Sequence, residues 1–245
     1  MKGVILAGGT ATRMYPLTKM INKHILPIAG KPMIYYAIEK LVNAGIQEIL
    51  VVTGIQHVGD VIGQLGDGRQ FNCNLTYKVQ EKAGGIAEAL SLAENFAAGD
   101  NLCVILGDNI FTMNLDVIHN FKDGATIFLK KVKDPQRFGV AEFTEKMSMY
   151  NNQVQVISIE EKPANPKSDY AVTGIYLYDN TVFDRIRTLK YSDRGEMEVT
   201  DLNNSYLKEN QLTAFIMPDD TWWSDAGTLE SYEYVNVKMA QERNK

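Results

Sequence analysis

Short apolar runs alternating with helix-period segments constrain this chain more than any other feature of its sequence. Lys2-Gly-Val-Ile-Leu-Ala7 reads as a buried strand entering the turn Gly8-Gly9. Ile49-Leu-Val-Val-Thr53 and Leu102-Cys-Val-Ile-Leu106 repeat the pattern, and Leu75 to Val79 reads as another strand. Between them, Pro32 opens a helix from Met33 to Ala44 that Gly45 stops. His57 to Leu65 reads as a short helix and Ile86 to Ala98 as a second full one. Buried strands joined by helices predict an α/β fold with a parallel sheet covered on both faces and right-handed crossovers.

The texture changes after Asn109. Ala125 to Val132, Gly139 to Phe143, Val154 to Ile159 and Ala171 to Tyr178 read as strands with fewer helices between them, which predicts mixed or antiparallel additions. Glu145 to Asn152 reads as a polar hairpin tip. Helices return at Thr181 to Leu189, Glu198 to Lys208 and Leu229 to about Gln241. No repeat or linker interrupts the 245 residues, so a single domain is expected. Residues 229–245 are expected to form a C-terminal helix.

Composition narrows the function classes. With 25 Lys and Arg against 30 Asp and Glu, the net charge of −5 argues against a nucleic-acid partner, which wants a basic face. A hydrophobic fraction of 45% excludes wholesale disorder. Cys73 and Cys103, the latter inside an apolar run, read as free thiols of a reducing compartment. The first apolar run is too short for a signal-peptide core and no stretch approaches a membrane span, so a soluble, cytoplasmic chain is expected. His24, His57 and His119 show no zinc-site spacing. No Gly-x-Ser-x-Gly elbow, dinucleotide fingerprint or P-loop is present, which moves hydrolases, common dehydrogenases and ordinary ATPases out of the front rank.

The chemistry lies at the end of the first strand, where an open parallel sheet binds ligands. Gly8 and Gly9 let backbone N–H groups approach phosphate oxygens, Arg13 adds a planar fork and Lys23 a point charge. For a lone Gly-Gly, a tight turn beside solvated basic residues is the simpler reading. Asp108 in Gly-Asp-Asn109 reads equally as a turn, Asp225 as a helix-cap acid before Thr228, and Glu160-Glu-Lys-Pro163 as a charged turn closing a strand.

The ordered whole resembles the sugar-phosphate nucleotidyltransferases. The resemblance rests on Leu6-Ala-Gly-Gly-Thr-Ala-Thr-Arg-Met-Tyr-Pro-Leu-Thr18, Asn22-Lys-His-Ile-Leu-Pro27 and Gly30-Lys-Pro-Met33. It continues through Gly84-Gly-Ile-Ala-Glu-Ala-Leu90, Leu106-Gly-Asp-Asn109, Phe138-Gly-Val140 and Ile159-Glu-Glu-Lys-Pro163. Tyr170-Ala-Val-Thr-Gly174, Arg194-Gly-Glu-Met-Glu-Val-Thr-Asp201 and Trp223-Ser-Asp-Ala-Gly-Thr228 complete it. It implies a Rossmann-like three-layer α/β sandwich with a mostly parallel central sheet and an added sugar-binding β portion, with residues 1–109 serving mainly the nucleotide and residues 110–228 mainly the sugar phosphate. It also implies Mg²⁺-dependent transfer of a thymidylyl group from dTTP to glucose 1-phosphate, by a homo-oligomer that serves rhamnose or another deoxysugar. Residue by residue, it assigns the nucleotide to Gly8, Gly9, Thr10, Arg13, Lys23, Gln80, Gly85 and Asp108, and the metal to Asp108 and Asp225. Arg13 and Lys23 are its catalytic cations. The sugar phosphate falls to Asn109, Gly139, Glu161, Lys162 and Val172, with Arg194 divided between that role and a surface one.

Two departures stand out. Position 11 is Ala where the family usually carries Gly, so the loop is expected to find its path without that freedom in φ. Longer members carry further C-terminal helices, and their absence here leads us to expect altered or absent end-product inhibition. Transfer of a uridylyl group, use of another sugar phosphate and a non-catalytic nucleotide-sugar sensor are the rival readings.

Overall fold

The structure is a computed structural model that describes residues 1–144 and 152–243. The first half follows the alternation of the sequence: β1 (Lys2–Ala7), a small ribbon of β2 (Pro27–Ile28) and β3 (Lys31–Pro32), α1 (Met33–Asn43) and β4 (Glu48–Gly54). Then come α2 (Val58–Leu65), β5 (Asn74–Gln80), α3 (Ile86–Ser91), α4 (Glu94–Ala97) and β6 (Leu102–Leu106). The second half adds β7 (Asn109–Phe111), β8 (Ala125–Lys131), β9 (Gly139–Phe143), β10 (Gln153–Glu161) and β11 (Tyr170–Tyr178). It ends with α5 (Val182–Thr188), α6 (Val199–Lys208), β12 (Leu212–Ile216), β13 (Trp223–Asp225) and α7 (Leu229–Glu242).

Nine strands form one sheet in the order β5-β4-β1-β6-β11-β8-β12-β10-β9. β5, β4, β1 and β6 are parallel, so their carboxyl ends share one edge. β11 runs antiparallel to β6, with Ile175 opposite Ile105, and so brings its amino-terminal half to that same edge. The β portion after Asn109 therefore continues the sheet rather than forming a separate body.

Alternate residues of β1 feed opposite faces, as the pleat requires. Ile5 and Ala7 pack with Ile34, Ile38 and Leu41 of α1, while Val4 and Leu6 pack with Ala87 and Leu90 of α3 and Leu202 of α6. A smaller cluster of Ile28, Met33, Tyr36, Ile110, Ala226 and Val235 seats α7 against the β2–β3 ribbon.

Two expectations need correction. The single helix from Ile86 to Ala98 is broken into α3 and α4. The Ser91 hydroxyl donates to the Glu88 carbonyl, and Leu92 and Ala93 donate three residues back, tightening the backbone at the break. β12 has no counterpart in the sequence reading, nor does the ribbon that pairs β7 with β13. The expected hairpin tip, Glu145 to Asn152, lies outside the described residues except for Asn152.

Candidate active site

At the end of β1, Gly9 has a φ of +91° and no heavy atom within 4 Å of where a Cβ would stand, so its backbone faces open space. Gly8 lacks a Cβ for a different reason: one placed there would lie 2.9 Å from Oε1 of Gln80. Ala11 overturns the expectation attached to it. It takes the left-handed conformation itself, with φ 50° and ψ 28°. Its carbonyl accepts from Thr18 Oγ1 at 2.7 Å and from Met14 N–H at 3.0 Å, so the turn holds an alanine where glycine would rest more easily. The short turn Thr12–Met14 then carries Arg13 into the cleft. Lys23 opens another such turn, Lys23–Ile25, where Asn22 Oδ1 accepts from the His24 backbone N–H and lies 2.8 Å from His24 Nδ1. Burial and the neighbouring Lys23 charge push the His24 imidazole down to about 3, so it is neutral.

The β7–β13 ribbon brings the two acids together. It pairs Asp225 with Asn109, and Ala226 N–H donates to the Asp108 carbonyl at 2.8 Å. Helix α7 is capped by Thr228, whose hydroxyl accepts from Ser231 N–H while Ser231 Oγ accepts from Thr228 N–H. Asp225 is therefore not the cap. A Cβ built on Gly227 would stand 3.4 Å from Asp108 Oδ2, Asp225 Oδ2 and Arg13 Nη2 alike, so the three side chains converge on one small space. Burial opposes ionisation of Asp108, but the Lys23 ammonium at 2.5 Å and a hydrogen bond from Asn109 outweigh it and hold the carboxyl well below the usual range. Burial and the charge of Asp108 push Asp225 the other way. Among the described residues, no group of three or more His, Cys, Asp or Glu could hold a metal. Two facing carboxylates with room beside them fit a hard divalent cation that completes its shell with phosphate oxygens and water.

Asn109 is nearly fully buried and heavily engaged. Its Oδ1 accepts from Gly174 N–H at 2.8 Å and Trp223 Nε1–H at 2.6 Å, and its Nδ2 donates to Asp108. These bonds hold it beside Asp108 in the wall of the cleft. Beside β9 and β10, Thr200 Oγ1–H donates to Glu161 Oε2 at 2.6 Å, and a Cβ on Gly139 would crowd the same two groups. Lys162 Nζ lies 3.4 Å from Glu161 Oε1. At the end of β5, Gln80 is buried, while Gly85, at φ 104°, leaves no space for a side chain beside the Met197 backbone.

All the predicted residues except Thr10 and Arg194 line one cleft of about 570 Å³ at this sheet edge. Thr10 lines a smaller adjoining pocket of about 160 Å³. Arg194 turns away to Glu198, with contacts at 2.8 and 3.2 Å, and reaches Glu161 only at 3.5 Å. Among the cleft residues that the sequence reading did not assign to the site are Arg137, Thr200 and Trp223. Each adjoins or belongs to a stretch carrying the family resemblance, but only the folded ribbon and the β9–β10 pairing bring them together.

Residues 2–242 match the nucleotidyl transferase family. The chain is 45% identical over 236 residues to a glucose-1-phosphate thymidylyltransferase of Neisseria meningitidis, covering 94% of this chain and 80% of the relative. It is 40% identical over 237 residues to the enzyme of that name from Mycobacterium tuberculosis, covering 94% and 79%. A Bacillus anthracis structure described as a glucose-1-phosphate thymidylyltransferase in complex with sucrose superposes with a TM-score of 0.90 at 50% identity, over 98% of this chain and 95% of that one. A UDP-glucose pyrophosphorylase bound to UDP-glucose shares the fold at 22% identity, with a TM-score of 0.86 over 98% of both chains. With the match running from the first strand to the last helix, the chain belongs to the nucleotidyl transferase family.

Proposed function

We propose that this nucleotidyltransferase moves a thymidylyl group from dTTP to α-D-glucose 1-phosphate with Mg²⁺, giving dTDP-glucose and pyrophosphate. The observation that carries this reading is the convergence of Asp108, Asp225 and Arg13 at one point of a cleft whose far wall holds Glu161 and Lys162. The names of the relatives support the choice of substrates.

A phosphate monoester has a second pKa of about 6, so the attacking oxygen of glucose 1-phosphate is largely ionised at neutral pH and needs no base. That suits a cleft whose one histidine, His24, is buried and neutral. The obstacle is the meeting of two anions, and positioning plus fixed charge answers it. Lys23 serves the α-phosphate, where negative charge builds, and Arg13 serves the departing pyrophosphate. Backbone N–H groups of Gly8 and Gly9 approach the triphosphate. Asp108 and Asp225 would hold Mg²⁺, which supplies positive charge against the phosphate oxygens when bound. Gln80 and Gly85 take the base, and Gln80 both donates and accepts, as the edge of a pyrimidine imide requires. Glu161 accepts from sugar hydroxyls, beside Gly139 and Val172, and Lys162 faces the sugar phosphate. Supply of a deoxysugar pathway such as dTDP-rhamnose, and assembly as a homo-oligomer, rest on the family resemblance alone.

The test is pyrophosphate release across a panel of nucleoside triphosphates and hexose 1-phosphates with Mg²⁺. Turnover should be highest with dTTP and glucose 1-phosphate. No release from any pair would make the chain a binder rather than an enzyme, and a better pair would reassign its substrates.

A further inference from the structure

The turn Pro135–Arg137 joins β8 to β9 and is fixed at both ends. Arg137 N–H donates to the Asp134 carbonyl, Phe138 N–H to the Pro135 carbonyl, and Lys162 N–H to the Phe138 carbonyl at 3.0 Å. The backbone beside Arg137 is thus tied directly to Lys162. Its side chain is aimed with similar care. Nη1 donates to Asp134 Oδ2 at 2.7 Å, and the guanidinium carbon lies 5.3 Å from the centre of the Phe138 ring. That ring meets Trp223 edge-on at 5.3 Å, and Trp223 is anchored to Asn109.

Held in this way, Nη2 stops 3.9 Å from Asp225 Oδ1, beyond hydrogen-bond distance. A guanidinium kept only to neutralise Asp225 would close that gap, but Asp134 and Phe138 hold it back. Of its five N–H donors one is engaged at hydrogen-bond distance, and the group is 41% exposed in the cleft wall. The other cations of this side also face acids. Lys162 pairs with Glu161, and Arg194 makes two contacts with Glu198. A sugar phosphate arrives here as a near-dianion among the carboxylates Glu161 and Glu196, and one lysine already facing an acid is a weak counter-charge.

We propose that Arg137 binds the phosphate of the sugar 1-phosphate, acting with Lys162 from the β9–β10 side while Arg13 and Lys23 serve the triphosphate from the glycine loop. This rests on the reaction proposed above, and it assigns the recognition of that phosphate to a planar fork that a lysine reproduces only in part.

The test is steady-state kinetics of Arg137→Met and Arg137→Lys with each substrate and Mg²⁺ varied in turn, beside calorimetric binding of glucose 1-phosphate to each protein and a melting curve. Arg137→Met should raise the KM and Kd for glucose 1-phosphate about tenfold or more, leave the KM for dTTP within about twofold and leave half-saturating Mg²⁺ unchanged. Arg137→Lys should fall between, and it carries the test if the methionine variant melts early. Unchanged affinity for glucose 1-phosphate in the lysine and methionine variants overturns the proposal. So does a raised Mg²⁺ requirement at unchanged sugar-phosphate affinity, which would make Arg137 a counter-ion of Asp225 only. If the wild type prefers another nucleotide, the reading of the reaction falls while the binding measurement still decides the role of Arg137.

Discussion

Lys23 Nζ lies 2.5 Å from Asp108 Oδ2, although 85 positions separate the two residues in the chain. Both side chains are only 13% exposed. The cation we assign to the α-phosphate is therefore also what keeps the acid we assign to the metal ionised in a poorly solvated place. The two roles share one ion pair, and variants of either residue will report on both.

Lys23→Ala should lower kcat by roughly 10²–10³, the usual cost of removing one preorganised charge from a developing anion, while the KM for dTTP moves only a few-fold. It should also destabilise the fold by roughly 3–5 kcal/mol, because Asp108 loses its partner while still buried. Adding Asp108→Asn to Lys23→Ala should restore stability but not turnover. Denaturant titrations beside single-turnover assays separate these effects, and a near-normal kcat in Lys23→Ala would remove the residue from the mechanism.

Asp108→Asn and Asp225→Asn should each remove most of the activity, and the double variant should be little worse than either alone. Carboxylates sharing one cation behave as a unit, so either loss spoils the same site. Additive effects, or full activity in EDTA, would count against a joint metal site.

How the site could be read from the sequence differs between its two acids. Asp108 follows a five-residue apolar strand, so its place at the sheet edge is visible from periodicity alone. Asp225 sits in Trp-Ser-Asp, a three-residue strand too short and polar to announce itself, and its partner strand begins 116 residues earlier at Asn109. Family resemblance supplied the pairing that local pattern could not. Arg137 shows the remaining limit: a surface-like Asp-Pro-Gln-Arg turn becomes a cleft wall only once β9 pairs with β10 and Phe138 meets Trp223 edge-on.

Ala11→Gly should stabilise the protein. An alanine at φ 50° sits in a region that costs an L-residue roughly 1–2 kcal/mol, and glycine relieves that at the expense of a more flexible unfolded chain. The net gain should be about 0.5–1 kcal/mol, read as a higher denaturant midpoint with an unchanged slope. A lower midpoint would mean that the Ala11 methyl makes contacts worth more than the strain.

Base choice should be leaky. dTTP and UTP differ at a methyl and a 2′-hydroxyl, and a methyl in an apolar pocket is worth about 1–3 kcal/mol. Measurable UTP turnover below that of dTTP, with little from purine triphosphates, is the expected panel. Equal or better turnover of ATP or GTP would overturn the assignment of Gln80 to the base.

Gly139→Ala tests the sugar side with little threat to the fold. A Cβ there would stand 3.3 Å from Thr200 Oγ1, 3.4 Å from Glu161 Oε2 and 3.7 Å from Val172 Cβ, distances that small side-chain shifts accommodate. Gly85 is the contrast, since its Cβ would lie 2.7 Å from the Met197 backbone N, which cannot yield in the same way. The alanine at 139 should therefore leave the melting temperature within a few degrees of wild type. Its methyl would occupy space beside the carboxylate that we assign to the sugar hydroxyls, so the KM for glucose 1-phosphate should rise about tenfold, a loss within the range for one displaced charged hydrogen bond. The KM for dTTP should not follow, because Gln80, which we assign to the base, ends β5 at the opposite edge of the sheet from β9. Equal rises in both KM values would mean that the methyl distorts the whole cleft. An unchanged sugar-phosphate KM would move the hexose away from Gly139 and Glu161 altogether.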